Sequence, residues 1–493
     1  MEADLQPVPG SVVLKTSLNN RLLHRLPIAD RTGALLAVSR ADSSGRVVRF
    51  HPNGGLGLPV LGYLDSYGRG LEGIEYSYDA VLASSDRKLV DALFLSIDIK
   101  VQAETEKNLR WQMKRLKADR GCEIIMDLEN GQILAMASLS KDNTSGTGTP
   151  EFSNYGIREG LNPWGLVINL AWLMQIQEHL QETGHEAGNL KGKDNKPARF
   201  KKAFNVPWHW IDVGAKGKLW TRLKTRDLAR LPMDQSILKL LIRLGMGQPT
   251  GIDLPGEQQG GLPVSLPVSM SESIGSVIDS GFNATPLQTL CVFSAIIKAG
   301  GRLRPSLAIN GGKNSSIDSC PGLFDVTAVK EFLRRVGNDQ GPSIASVTMT
   351  TAAGHVAFQT IGMGVWPSKS PRISYISVLE NARIDASQRR GTLGRTSRVA
   401  RLAGLQPSVA GPFNINGRSA VVVRDVQKAA PGLGASGVVM PDLKGKSMRS
   451  ALEIVSSLGL KLKVKGAGLV RKQYPKAGKP IKKGDSCTII CKR

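Results

Sequence analysis

Cysteine is scarce in this chain of 493 residues, and its distribution excludes a disulfide framework. The five cysteines are odd in number and widely spread. Cys487 and Cys491 lie in a β-rich stretch, DSCTIICKR. A four-residue spacing on a strand puts their side chains on one face but roughly 13 Å apart, too far for a bridge. No histidine lies near them, and we predict no metal site and no cofactor.

Long apolar runs are also absent. The longest, GLVINLAWLM and LCVFSAII, fall far short of the roughly 20 residues that a membrane-spanning helix needs. The first residues, MEADLQPVPGSVVLKTSL, have no basic flank followed by an apolar core. They therefore lack the pattern of a signal peptide or an anchor. As written, the sequence predicts a chain without a membrane span.

Acidic residues are few relative to basic ones. The chain has 65 Lys and Arg against 41 Asp and Glu, a net charge of +24. This favours an anionic partner such as nucleic acid, a membrane surface or an acidic polymer, without choosing among them. The charge concentrates in residues 438–493, with fourteen Lys and Arg against three acids. Tyr474 is the only aromatic residue there, which argues against base stacking and hence against nucleic acid.

Composition divides the chain into four regions, because 493 residues exceed what one hydrophobic core can hold. Residues 1–90 are Gly-rich with short apolar runs, and we predict irregular β structure there. Residues 91–407 alternate helical and strand patterns. Residues 408–437 have the Gly and Pro content of a linker. Residues 438–493 are predicted to be a compact basic module.

Local signals predict particular elements within these regions. Asn130-Gly131 joins β-rich runs and predicts a hairpin with a type I′ turn, which needs φ > 0 at both positions. Thr285 and Pro286 predict the start of a helix. In the basic module, Ser447 caps a predicted helix, and the alternation in LKLKVKG turns Val464 toward a core. The module is predicted to be a small β-α-β-β unit.

Seven segments carry a recognisable pattern, in order along the chain. They are RLPIADRTGALLAVS, LGYLDSYGRGLEGIEYSYDAVL, LFLSIDIKVQAETEKNL, GCEIIMDLENGQILAMASL, LGMGQPTGIDLPGEQQGGLP, NATPLQTLCVFSAIIKAGGRLRPSL and GVWPSKSPRISYISVLEN. These segments resemble the class B penicillin-binding proteins, the monofunctional cell-wall transpeptidases, although Leu26 replaces the family's Gly in the first. The last module, in addition, resembles a PASTA domain. Together these similarities cover roughly residues 25–407 and 438–493.

The resemblance implies an α+β multidomain protein with a penicillin-binding transpeptidase (β-lactamase-like) fold. In that fold an antiparallel five-stranded sheet is flanked by helices. Residues 1–90 would form a β-rich N-terminal pedestal, a dimerisation-like domain, and residues 91–407 the transpeptidase-like domain. The small PASTA module would occupy residues 438–493.

Acyl transfer in this family resembles β-lactamase chemistry and uses Ser-x-x-Lys, Ser-x-Asn and Lys-Thr-Gly. Three residues apart at the start of a helix, Ser and Lys lie on one face, so the amine can take the hydroxyl proton. The family's register, applied to EGLNPWGLVINLAWLM, puts Gly165 at the nucleophile and Ile168 at the base. Gly165 has no side chain that could attack a substrate, and Ile168 has no proton to exchange.

The other motifs are altered as well. Counting back from SKSPRISYISVLEN puts His355, Val356 and Ala357 on the Lys-Thr-Gly positions. His355 could still carry a proton, although a lone histidine is more often structural. In KLWTRLKT, Thr221 and Leu223 would replace the Ser and Asn of the second motif. The resemblance therefore implies no retained catalytic residue on a persisting scaffold, which predicts a folded pseudoenzyme.

Other Ser-x-x-Lys strings keep an alternative open. They begin at Ser85, Ser138 and Ser236, and a chain of this length yields roughly two or three by chance. In the predicted strand that Ser138 ends, a three-residue spacing would point serine and lysine to opposite faces. An active D,D-transpeptidase that binds penicillin through a relocated nucleophile is the second hypothesis.

The favoured hypothesis is a non-enzymatic scaffold or regulator of peptidoglycan synthesis or cell division. Its expected partners are peptidoglycan, another anionic cell-wall polymer, or wall-synthesis proteins. The third hypothesis is a cytosolic, basic polyanion-binding protein. The resemblance implies a location in the cell envelope, on the periplasmic side. If Met1 is the true start, the missing signal and anchor instead imply the cytoplasm.

Overall fold

The computed structural model describes a large part of the chain, with gaps. The ranges described are 25–43, 47–83, 92–141, 153–161, 211–213, 219–221, 235–262, 283–309, 323–336, 343–352, 355–367, 369–382, 389–405, 414–415, 418–419, 461–466, 469–476 and 485–492. Residues 166, 170, 173, 174, 177, 181, 440, 443, 444, 455 and 479 are described singly. Chain contacts divide the protein into two compact units, Met1–Arg424 and Asp425–Arg493. The predicted boundaries at residues 90, 407 and 437 stay predictions.

The helices with described bounds lie in the first unit. They are α1 (Leu58–Leu61), α2 (Gly73–Ser77), α3 (Asp79–Leu82), α4 (Ile99–Leu116), α5 (Tyr155–Arg158), α6 (Gln235–Arg243), α7 (Pro286–Ile297), α8 (Val326–Val336) and α9 (Arg389–Leu405). The singly described residues from 166 to 181 are also helical, and we call them the 166–181 segment.

The strands form several sheets. They are β1 (Ile28–Ala29), β2 (Leu35–Ala41), β3 (Val47–Phe50), β4 (Leu93–Phe94), β5 (Arg120–Asp127), β6 (Ile133–Ser140), β7 (Ile211–Val213), β8 (Leu219–Thr221), β9 (Ser343–Ala352), β10 (His355–Trp366), β11 (Ile373–Glu380), β12 (Asn414–Ile415), β13 (Arg418–Ser419), β14 (Lys461–Lys465), β15 (Leu469–Tyr474) and β16 (Ser486–Lys492). Strands β7 and β8 form a two-stranded ribbon, as do β12 and β13.

The core of the first unit is the predicted five-stranded sheet. Its strand order is β6-β5-β11-β10-β9, and every pair is antiparallel. Helices α4 and α9 cover one face, where Tyr375 of β11 is buried beside Val101 and Ala400. Helix α7 covers the other, because the neighbouring Ser374 hydroxyl lies 2.9 Å from that of Ser294. The sheet is thus flanked by helices, as the fold class requires.

The hairpin predicted at Asn130-Gly131 joins β5 and β6, but its turn type differs. Gly131 has φ 76° while Asn130 is not among the residues with positive φ. The Gly131 amide donates to the Asp127 carbonyl at 2.9 Å, so the loop is longer than a two-residue turn. A longer loop needs only one left-handed residue.

Helix α7 begins where the sequence predicts. Thr285 accepts a hydrogen bond from the Gln288 amide, and the Gln288 side chain accepts one from the Thr285 amide, which completes a capping box. Pro286 occupies the first turn, where its missing N–H is not needed. Leu287, Leu290, Phe293 and Ile297 of this helix are buried.

The N-terminal region contains a four-stranded sheet of order β3-β2-β1-β4. Asp30 links this sheet to the core. Its carboxylate accepts from the Thr32 and Ala34 amides in the β1–β2 turn. Its other oxygen accepts from the Ile99 amide, at the first residue of α4, at 3.0 Å. The β-rich pedestal predicted for this region is therefore tied to the start of the first long helix.

Two of the segments that carry the family resemblance meet at one buried junction. Arg25 donates to Glu75 at 2.7 Å and to Asp79 at 2.8 Å. Arg49 reaches the other Glu75 oxygen at 2.7 Å, and the side chains of Arg25 and Glu75 are fully buried. We call this group the pedestal junction.

Tyr78 extends the pedestal junction to a third segment. Its hydroxyl donates to Asp253 at 2.8 Å, and burial together with Asp253 raises the pKa of Tyr78. Asp253 also accepts from the Leu307 and Ala308 amides, both at 2.7 Å. Residues far apart in sequence are thereby fixed around one carboxylate.

The second unit contains a three-stranded sheet of order β14-β16-β15, and Val455 before it is helical. Strand β15 is absent from the sequence prediction. Val464 is 39% exposed, so its predicted core position is wrong. It lies on β14, at the sheet edge, where one side of each residue remains open to solvent.

Candidate functional site

The region expected to hold the reaction site begins with the segment that leads into residue 162. Asn154 caps α5 and accepts from the Gly156 amide. The Tyr155 amide donates to the Ser138 hydroxyl at 3.2 Å, which fastens α5 to β6. Leu161 then pairs with Ala284 through amide–carbonyl bonds of 2.7 and 3.0 Å.

A buried side chain of β10 holds the same segment against the sheet. The side-chain Nε2 group of Gln359 donates to the Gly160 carbonyl at 3.0 Å. Gln359 is only 3% exposed, and its Oε1 atom has no hydrogen-bond partner among the described residues. The chain is therefore clamped between α7 and β10 immediately before residues 162–165.

The 166–181 segment continues as a buried helix core. Leu166, Leu170 and Leu173 are each 0% exposed, a spacing that places them on one face of a helix. Gly165 and Ile168, the positions of nucleophile and base, lie outside the described residues.

The second-motif position lies on the β7–β8 ribbon beside the β9 edge of the sheet, and the third-motif positions lie within the sheet on β10. Thr221 ends β8 and pairs with Ile211 of β7, and β7 packs against β9. The backbone of His355, Val356 and Ala357 opens β10 and pairs with β9. Leu223 lies outside the described residues, and all of these assignments remain predictions.

Sequence reasoning missed the edge strand β9 itself. Its residues, SIASVTMTTA, are rich in β-branched types, and apolar and polar residues alternate over 345–350, a pattern that favours a strand. This signal was available in the sequence. Because β9 lies between the β7–β8 ribbon and β10, it forms the wall of the region where the reaction positions are expected.

Charges beside this region are paired. Arg120 contacts Glu159 at 3.2 Å and Glu380 at 2.9 Å. Burial lowers the pKa of Arg120, but Glu380 and Glu159 together raise it further, so the net shift is upward. The carboxylates of Glu159 and Glu380 are therefore paired with the Arg120 guanidinium.

The alternative serines differ in accessibility. Ser138 is 4% exposed, accepts from the Tyr155 amide and contacts Asn154 at 3.4 Å. A sequestered hydroxyl that already serves a backbone amide is a poor nucleophile. Ser236 and Lys239 of α6 line a common cavity. Ser85 lies outside the described residues.

The described ranges contain no group of three or more His, Cys, Asp or Glu placed to hold a metal ion. In the same ranges, no helix is both long and apolar enough to cross a membrane. Cys122 is buried, and burial raises the pKa of its thiol above the ordinary value. It is therefore a packing residue of β5.

The second unit offers a different candidate surface, the outer face of its sheet. Lys463, Thr488 and Tyr474 stand in one cross-strand row. Tyr474 is 51% exposed, and Lys472, two residues earlier on β15, is also exposed. We call Lys463, Lys472 and Tyr474 the PASTA face, because they lie in the module that resembles a PASTA domain.

Comparison with known families agrees with this architecture. The pattern of the penicillin binding protein transpeptidase domain matches residues 223–322, and that of the PASTA domain matches residues 438–490. The chain is 26% identical over 284 residues to peptidoglycan D,D-transpeptidase FtsI of Buchnera aphidicola, covering 52% of this chain and 49% of that protein. It is 24% identical over 295 residues to penicillin-binding protein PbpB of Mycobacterium tuberculosis, with 53% and 42% covered.

Solved structures agree on the fold. The apo form of penicillin binding protein 3 from Mycobacterium tuberculosis superposes with a TM-score of 0.54 at 19% identity, over 78% of this chain and 98% of that one. At this identity the likeness shows the fold alone. The chain therefore has the fold of the penicillin-binding-protein transpeptidases, and its residues 438–490 match a PASTA domain.

More particularly, the chain is similar in sequence to FtsI and PbpB. It spans about half the length of the curated relatives that it matches.

Proposed function

We propose that this protein is a non-catalytic relative of the cell-wall transpeptidases that acts as a scaffold or regulator in peptidoglycan synthesis or division. The observation that carries the proposal is the occupation of the nucleophile and base positions by Gly165 and Ile168. A glycine offers no attacking atom, and an isoleucine cannot take a proton. Around them, the buried leucines of the 166–181 segment keep the helix of the scaffold.

The PASTA face is the surface that we assign to a wall polymer in the cell envelope. An exposed tyrosine offers an apolar ring face for a sugar, and the lysines beside it attract anionic groups. The Lys463 and Lys472 side chains lie on the solvent face of the sheet, because Ile489 and Gln473 in the adjacent row are buried. Peptidoglycan or another anionic wall polymer therefore fits this face better than a neutral partner does.

The direct test is cosedimentation of the purified protein with intact sacculi at low and high salt. The full chain is compared with a form lacking residues 438–493 and with K463Q/K472Q. The matched control K476Q/K479Q removes the same charge outside the strands of the same module. We expect retention at high salt that the deletion abolishes and K463Q/K472Q weakens, while the control binds as the parent does.

Other outcomes would redirect the proposal. Binding that disappears at high salt in every form would reduce the module to nonspecific charge attraction. Salt-resistant binding to nucleic acid, with none to sacculi, would favour a polyanion-binding protein in the cytoplasm.

The second candidate is an active enzyme with a relocated nucleophile, because Ser236 and Lys239 line one cavity. A fluorescent penicillin, with an active transpeptidase as positive control, separates the candidates. We expect no covalent label on this protein. A label that withstands denaturation and is lost in Ser236→Ala would replace the non-catalytic proposal with this one.

A further inference from the structure

The first unit has a cavity of about 530 Å³ between the 166–181 segment, helix α6 and the residues before α8. Its lining residues in that segment are Met174, Gln177 and Gln181, whereas Leu166 and Leu170 do not belong to the lining. The cavity is therefore separate from the start of that helix, where the reaction positions are expected. A volume of this size is typical of sites for small molecules.

The cavity wall combines apolar and cationic groups. Phe324 is 3% exposed and Leu240 is 9% exposed, and with Met174 they form an apolar surface. Lys239 and Arg243, one helical turn apart on α6, also line the cavity. Among the residues that the structure describes, neither cation takes part in an ion pair.

The acid that follows the lining residue Phe324 is already engaged. Asp325 follows Phe324, but its carboxylate accepts from the Thr327 and Ala328 amides at 2.7 and 3.0 Å, at the start of α8. The Asp325 amide donates to Gln177 Oε1 at 3.0 Å. The Nε2 group of Gln177 is then a donor, and none of the described residues that line the cavity is acidic.

We infer that this cavity binds a small amphipathic anion, a phosphate or carboxylate group attached to an apolar chain or ring. Lys239 and Arg243 hold the anionic group, and Met174, Leu240 and Phe324 cover the apolar part. Guanidinium and ammonium groups provide several donors for either oxyanion. The inference is independent of wall binding by the PASTA face, because it concerns the other compact unit.

The test is calorimetric titration of the full chain with decyl phosphate and with decanoate, each below its micelle concentration. Decyltrimethylammonium has the same tail with the opposite charge, and inorganic phosphate has the charge without the tail. We expect saturable binding of one or both amphipathic anions, and much weaker binding of the other probes. Whichever anion binds identifies the headgroup.

Variants locate the binding. K239Q/R243Q should reduce affinity by at least about tenfold, since charge-assisted bonds are lost. K330Q/R398Q removes the same charge from exposed positions on α8 and α9 and should leave the affinity unchanged. Equal losses in both variants, or equal binding of decyltrimethylammonium, would overturn the inference. Unchanged thermal unfolding of both variants would show that a loss of binding does not come from misfolding.

Discussion

The pedestal junction and the PASTA face use similar side chains for opposite purposes. At the junction, Arg25 and Glu75 are fully buried, and each is held by charged partners. On the PASTA face, Lys463 and Lys472 are exposed on a sheet surface. The tyrosines differ in the same way, because Tyr78 donates to a buried carboxylate whereas Tyr474 is 51% exposed.

The difference shows which part of the net charge of +24 is available to a partner. Charges at the junction determine how distant segments meet, and a partner cannot reach them. Charges on the PASTA face contribute little to the stability of their own module, because they are exposed to solvent. A change at the junction should therefore alter stability, and a change on the face should alter binding alone.

The largest expected effect comes from Glu75→Gln at the pedestal junction. The variant leaves Arg25 and Arg49 buried without their shared anion, and breaking such a pair costs about 3–5 kcal/mol. Urea unfolding should show this loss in the free energy of unfolding. The matched control is Asp65→Asn, whose partner Arg69 is 61% exposed, and we expect a loss below about 1 kcal/mol. Equal losses would contradict the assigned role of the junction.

Glu123 differs from the carboxylates of the pedestal junction, because it is a fully buried carboxyl surrounded by neutral groups. Burial raises its pKa from 4.5 to about 8, although hydrogen bonds from Asn108, Thr396 and Gln112 oppose the shift. The folded protein therefore binds an extra proton between these values, and its stability should fall as the pH rises from about 4.5 to 8.

The change over that window should be on the order of a few kcal/mol. Chemical denaturation at a series of pH values measures it, and Glu123→Gln should flatten the profile because the amide stays neutral. An identical slope in the variant would assign the pH dependence to other groups.

A smaller effect is expected for Tyr78→Phe. The variant removes one donor to Asp253 but keeps the donors from Leu307 and Ala308. A hydrogen bond to a charged group contributes about 1.5–3 kcal/mol, and the remaining donors favour the lower end. Thermal unfolding of variant and parent tests this, and an unchanged midpoint would mean that the bond is replaced by water.

The smallest effect on stability is expected for Tyr474→Ala. An exposed side chain away from caps and cores changes stability by about 0.5 kcal/mol or less. Sacculus binding should nevertheless weaken, because the exposed ring is lost. A large drop in the unfolding midpoint would instead show that Tyr474 is a packing residue, and the PASTA face would lose its tyrosine.

The elements predicted correctly carry their signals locally. The helix start at Thr285 and the hairpin between β5 and β6, whose turn type differs from the predicted one, depend on a few adjacent residues. Strand β15 was missed because its sequence, LVRKQY, is mostly polar. Its buried Gln473 is accommodated by the Leu443 amide, which donates to it at 2.6 Å. That partner lies thirty residues away, so no local pattern reveals it.

The candidate site likewise has features that the sequence reveals locally and contacts that it does not. The helix core of the 166–181 segment follows from the spacing of its leucines. The clamp by Gln359 on the Gly160 carbonyl links residues 199 apart, and periodicity cannot show such a contact. The Gly165, Ile168 and His355 assignments depend on family register and therefore await the labelling and binding experiments.

The contacts of Asp253 also bear on the order in which the chain can fold during synthesis. Tyr78 donates to a carboxylate 175 residues later in the chain. At roughly 5–20 residues per second, a ribosome needs about 9–35 s to add that length. The N-terminal region must therefore exist through that interval without its bond to Asp253. Chaperone contact with nascent chains should fall once Asp253 and Ala308 have left the ribosome, which stalled chains of graded length can measure.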